Sequence, residues 1–160
     1  MKFTSIIRLS ILLLPVGATA QQQRSKPLYQ YVKPIIGTQR MGHTYLGATV
    51  PFGMVQLSPE TDTIPFSVDG KHNPDVYKYC AGYQYDDKTI VGFSHTHFSG
   101  IRHSDLGNIL LMPTIGDLQL NPGTAANPKT GFRSTFSHEN QTAQAGYYKV
   151  LLDKIISQLN

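Results

Sequence analysis

The stretch GFSHTHFSG, residues 92–100, places two imidazoles one residue apart inside an apolar run bounded by glycines. In an extended strand, side chains two apart share a face, so His95 and His97 are expected on one side and Thr96 on the other. Three kinds of chemistry suit that arrangement. A His-x-His pair with His103 and Asp105 close behind could chelate zinc, which would make a zinc-dependent hydrolase of His95, His97 and His103. Neutral imidazole can donate from one nitrogen and accept at the other, so the pair could instead brace a loop against buried carbonyls. Polar groups beside Phe93 and Phe98 also match an amphipathic, polyhydroxylated ligand, and this reading or a domain contact is the third.

The other groups able to do chemistry are scattered. In GHTYLGATVPFGMVQLSPET, residues 42–61, Gly42, Gly47 and Gly53 punctuate the run while Pro51 and Pro59 fix turns. Such glycines mark close backbone approach, either to a ligand or to a neighbouring strand. Cys80 reads as a small packing residue, because the sequence suggests no base beside it. His43 suits either a pocket or a turn, whereas His72 and His138 read as solvated or turn residues. Tyr83 and Tyr85 read as core or rim.

Elements to hold these groups are short. TIVGFSHTHF, GNILLMP, IGDLQL, GYYKVLL and GATVPFGMVQL are apolar stretches rich in β-branched and aromatic residues, bounded by Gly, Pro, Asn and Asp. No sustained 3.6-residue apolar period precedes the C-terminus, so the expected fold is all-β, a β-sandwich. IPFSVDGKHNPDVYKYC and NPGTAANPKTG read as surface connections.

Composition narrows the class further. The first 20 residues carry Lys2 and Arg8, a short apolar run and Ala18-Thr19-Ala20, the pattern of a secretory signal peptide cleaved before Gln21. The run is shorter than the roughly 20 residues a spanning helix needs, so no membrane anchor is expected. Residues 21–30 read as a flexible lead-in, and 31–160 as one domain. One cysteine allows no intrachain disulfide. Without Lys2 and Arg8, twelve basic residues face ten acidic ones, a balance that gives no reason to expect nucleic acid as partner.

YVKPIIGT, GHTYLGATVPFGMVQLSPET, CAGYQYDD, GFSHTHFSG, SDLGNILLMPTIG and FSHENQTAQAGYYKVLLD occur in this order. Together, from about Tyr31 to Asp153, they resemble the N-terminal domain of glycoside hydrolase family 92, the calcium-dependent exo-acting α-mannosidases. The resemblance implies a supersandwich-like N-terminal domain, as in galactose mutarotase, packed on a larger helical catalytic domain. It also implies an exported, periplasmic or extracellular enzyme that releases terminal α-mannosyl units with inversion. Inversion needs two carboxyl groups roughly 6.5–9.5 Å apart, and none of this chain's acids matches the family's catalytic pair. The chain is thus expected to be truncated before the catalytic domain and inactive alone, with calcium bound mainly outside it. By the same resemblance, Phe52 and Gly53, then Cys80, Ala81 and Gly82, with His95 and His97, form a wall of the mannose pocket. A free-standing carbohydrate-binding module is the alternative.

Overall fold

The structure is a computed structural model and describes residues 26–51, 53–100 and 109–155. Leu46, Tyr83, Ile90, Phe136 and Leu152 make its buried apolar cluster, with Ile35, Phe93, Met112, Ala143, Tyr148, Val150 and Ile155 packed around it. Ile90 and Leu152 come from the apolar stretches of the sequence, whereas Leu46, Tyr83 and Phe136 lie outside them, and together they join parts of the chain over a hundred residues apart. Burial of this kind, at roughly 25 cal/mol per Å² of apolar surface, is what the chain has in place of a disulfide.

The described strands are short and pair only antiparallel. β1 (Ser58–Glu60), β5 (Gly92–Ser94) and β6 (Leu110–Leu111) form a three-stranded sheet in the order β1-β5-β6. Its register sets Ser58 against Ser94, Pro59 against Phe93 and Glu60 against Gly92. β2 (Ser67–Val68) and β3 (Lys71–His72) make a hairpin, β4 (Thr89–Ile90) pairs with β7 (Ser134–Thr135), and β8 (Gln141–Gln144) pairs with β9 (Tyr147–Val150). The remaining regular pieces are 3-10 turns and an α-helical stretch at 153–155; the 3-10 turn Pro74–Tyr79 is capped by Asn73, which accepts from the Asp75 amide at 3.0 Å. The all-β expectation holds, as several small sheets. No helix among the described residues is long and apolar enough to cross a membrane.

Local sequence explains the turns. Asp69 and Gly70, with φ of 52° and 74°, close the β2–β3 hairpin, the conformation that makes Asp-Gly a hairpin signal. β8 and β9 alternate half-buried and exposed residues, with Ala143, Tyr148 and Val150 turned to the core. Strand propensity overreached elsewhere. Among its described residues GATVPFGMVQL contributes a single bridge, between Ala48 and Leu57, because Pro51 lacks an amide donor and Gly53 folds back to donate to Val50 O at 2.9 Å. IGDLQL forms no strand; Leu118 and Leu120 stand 80% and 83% exposed, with no neighbouring ladder to complete. The residues expected as one long connection, 64–80, instead hold the hairpin and the capped 3-10 turn.

Candidate functional site

Three separated sequence blocks meet at Glu60. The β1–β5 register brings its carboxylate beside Ser94, whose Oγ donates to Glu60 Oε1 at 2.5 Å. His97 Nε2 lies 2.8 Å from the same oxygen and 3.0 Å from Ser94 Oγ. His97 Nδ1 is 2.7 Å from Gln56 O, and a carbonyl can only accept, so Nδ1 carries a hydrogen. Nε2 thus faces both the Ser94 hydroxyl and the Glu60 carboxyl. Gly82 completes the arrangement: its φ is +80°, and a Cβ built there would lie 2.5 Å from Glu60 Oε2. The CAG turn is thus pressed against the carboxylate, and only a glycine leaves room.

The structure places the other expected residues around this centre. His97 is 3% exposed, with both ring nitrogens engaged by the protein and Tyr45 stacked at 5.7 Å. His95 is half-buried beyond the end of β5, its Nδ1 3.0 Å from Ile109 O. The two imidazoles therefore hold different partners. Ala81 and Gly82 are buried and Gly53 is half-buried. Phe52, His103 and Asp105 lie outside the described residues. Among the described residues no three His, Cys, Asp or Glu side chains converge as a metal site. Gly42 and Gly47 owe their identity to backbone packing: a Cβ at Gly47 would fall 1.9 Å from Leu57 O, and one at Gly42 2.2 Å from Gly37 O.

Cys80 has the basic neighbour that the sequence does not suggest. Its Sγ lies 3.0 Å from His43 Nδ1 and 3.9 Å from Gly100 O, and the Gly100 amide donates to His43 O at 2.8 Å. Burial pushes His43 below its ordinary value, which favours neutral imidazole beside a thiol. Among the described residues His43 Nε2 is buried without a hydrogen-bond partner, and the residue sits at φ 49° with Tyr77 against its ring at 4.6 Å. This contact ties the GHT, CAG and SHTHFSG blocks together.

A second buried network runs behind Glu60. Arg133, 2% exposed, donates from Nη2 to Asp62 Oδ1 at 2.9 Å and from Nη1 to Thr89 Oγ1 at 3.2 Å. Thr61 Oγ1 donates to Asp87 Oδ2 at 2.7 Å and accepts from the Gln84 amide at 3.0 Å. Burial, reinforced by Asp87, raises the Tyr79 phenol, so it stays protonated. Burial also pushes Tyr83 up to about 12, against a hydrogen bond to Gln141 that lowers it. His138 opens the 3-10 turn His138–Asn140, as its turn reading expects, and there stacks half-buried on Tyr85 at 4.1 Å and donates from Nε2 to Tyr85 O at 2.8 Å. Burial holds it below its ordinary value.

Glu60, Ser94, Gln56 and Arg133 are the members that sequence reasoning missed. Glu60 lies within the SPET motif, but nothing local says which strand it will face. As a whole the arrangement is a rigid polar scaffold that fixes loop positions; Glu60 Oε1 and Asp62 Oδ1 are both committed to protein partners.

Comparison with known proteins places the chain in a family. Residues 31–159 match the Glycosyl hydrolase family 92 N-terminal domain. The chain belongs to family 92. A structure of the family 92 α-mannosidase of Bacteroides thetaiotaomicron in complex with mannoimidazole aligns with a TM-score of 0.71 and 39% identity, over 81% of this chain and 16% of that one. The same enzyme without that ligand gives the same values. A second family 92 glycosyl hydrolase aligns at 0.56 and 28% identity, over 78% of this chain and 14% of its own. A protein of Arthroderma benhamiae described as a secreted glycosidase is 30% identical over 116 residues, which are 72% of this chain and 13% of that protein. The chain thus spans about a seventh of the length of its family 92 relatives.

Proposed function

We propose that this chain supplies the N-terminal domain of an exported α-mannosidase that removes terminal α-mannosyl units with inversion, and that it forms one wall of the mannose pocket. One observation carries the reading: 39% identity across 81% of the chain to an α-mannosidase whose complex holds mannoimidazole. In this reading Phe52, Gly53 and His95 face the sugar, while Cys80, Ala81, Gly82 and His97 hold the wall in shape. The burial of Gly82 and His97 against Glu60, with His95 and Gly53 partly open, supports that division.

The catalytic carboxyl pair belongs to a helical partner domain, and residues 1–160 alone release no mannose. Calcium, which takes six to eight oxygen ligands, is held mainly by that partner in this reading. Grafting residues 31–159 in place of the matching segment of the Bacteroides enzyme tests the proposal. The hybrid is expected to release mannose whose first-formed anomer is inverted, seen by proton NMR. A folded hybrid without activity, beside an active parent, refutes it. Export is tested separately, by finding Gln21 as the first residue of the protein recovered outside the cytoplasm.

A further inference from the structure

Between the segment Glu60–Phe66 and the 3-10 turn Pro74–Tyr79 lies an open cleft of about 340 Å³, lined by Glu60, Asp62, Ile64, Phe66, Val76 and Tyr79. Its two carboxylates are each held through one oxygen. Glu60 Oε1 takes Ser94 and His97, and Asp62 Oδ1 takes Arg133 and the Thr63 amide. Among the described residues, Glu60 Oε2 and Asp62 Oδ2 have no hydrogen-bond partner. Lys78 Nζ approaches the Tyr79 hydroxyl at 3.4 Å. Ile64, Phe66 and Val76 make the apolar part of the lining. Phe66 is 64% exposed, yet its backbone is pinned: Phe66 O accepts from the Asn73 amide at 2.9 Å and Pro65 O from Asn73 Nδ2 at 3.1 Å. Its ring rests 4.8 Å from His72.

We propose that this cleft is a carbohydrate subsite separate from the Gly53–His95 wall, taking one pyranose ring with adjacent hydroxyls on Glu60 and Asp62 and its C–H face on Phe66. Carboxylate oxygens with open lone pairs accept from hydroxyl donors, and a phenol can donate or accept. An apolar wall with a few fixed polar groups is the usual form of a small-molecule site. The anchoring by Arg133 and His97 keeps both acceptors in place before a ligand arrives, which limits the ordering needed on binding. A divalent cation is a poorer occupant, since two carboxylates fall short of the six to eight oxygens calcium takes.

The test is titration of the full chain with methyl α-mannoside and with an α-linked mannobiose, followed by amide NMR. Saturable shifts are expected in residues 61–66 and 74–79. Phe66→Ala is expected to weaken binding about fivefold, the worth of one aromatic face, with an unchanged melting temperature. Tyr79→Phe is expected to weaken it as well, and Leu120→Ala, a substitution on the open surface, is expected to bind as the parent does. Three results overturn the proposal: no shifts in those segments at saturating sugar, unchanged binding in Phe66→Ala, or calcium chloride saturating the same amides where sugar does not. Each leaves the mannosidase reading standing, because the hybrid enzyme tests that reading independently.

Discussion

Replacing Gly82 with alanine measures how firmly the Glu60 centre is locked. Two penalties are expected. Backbone at φ +80° is unfavourable for any residue with a Cβ, by about 1 kcal/mol. The new methyl would also sit 2.5 Å from Glu60 Oε2 and 2.7 Å from its Cδ, so the carboxylate must leave, taking the Ser94 and His97 contacts with it. Hydrogen bonds to charged groups are worth about 1.5–3 kcal/mol, which brings the total near 4 kcal/mol. Gly70 is the internal control: its φ is +74°, but no atom lies within 4 Å of its absent Cβ, so Gly70→Ala carries only the backbone penalty. For a chain of this size each kcal/mol lowers the melting temperature by about 3 °C. Calorimetry and urea unfolding should therefore show a loss of about 3 °C for Gly70→Ala and about 12 °C for Gly82→Ala. Equal losses for the two variants would show that Gly82 does not press on Glu60, and the account of the site would fail.

Three further outcomes are expected. His97→Ala should destabilise by about 3 kcal/mol, as it leaves a largely buried carboxylate without its partner; in a double-mutant cycle with Glu60→Ala, coupling below 0.5 kcal/mol, about the scatter of independent sites, would contradict the pairing. Arg133→Met should cost about 2 kcal/mol through Asp62 and Thr89, measured by urea unfolding, whereas Lys129→Met on the exposed loop should change little. Burial holds His43 and His138 below the ordinary 6.5, so the unfolded chain takes up their protons first. That stability is fully present above pH 6.5 and is lost as pH falls through the lowered folded values. His138→Gln, which removes a group facing Tyr83, Tyr85, Lys88 and Asp86, should flatten the fall in urea midpoint between pH 7.5 and 5; an unchanged slope refutes its share.

Local signals were legible where the physics is local. GYYKVLL, expected as a strand, holds β9, whereas Asp69-Gly70 and Asn73-Pro74, expected only as parts of a surface connection, turn a hairpin and begin a capped 3-10 turn. The six ordered blocks carried the family. What stayed hidden depends on distant parts of the chain. Glu60 and His97 lie 37 residues apart, and no local pattern states that β1 will lie beside β5. Cys80 looked isolated because His43 is 37 positions away. Strands were overread in GATVPFGMVQL and IGDLQL for the same reason: apolar composition grants the capacity to pair, but only a neighbour at the right distance completes a ladder.

The alignment of β1 with β5 has a consequence beyond holding two strands together. Side chains alternate between sheet faces, so sliding the pair by a single position would turn Glu60 away from the imidazole and strand both partners. The Glu60–His97 contact thus acts as a gauge during folding, rewarding one register and penalising its neighbours.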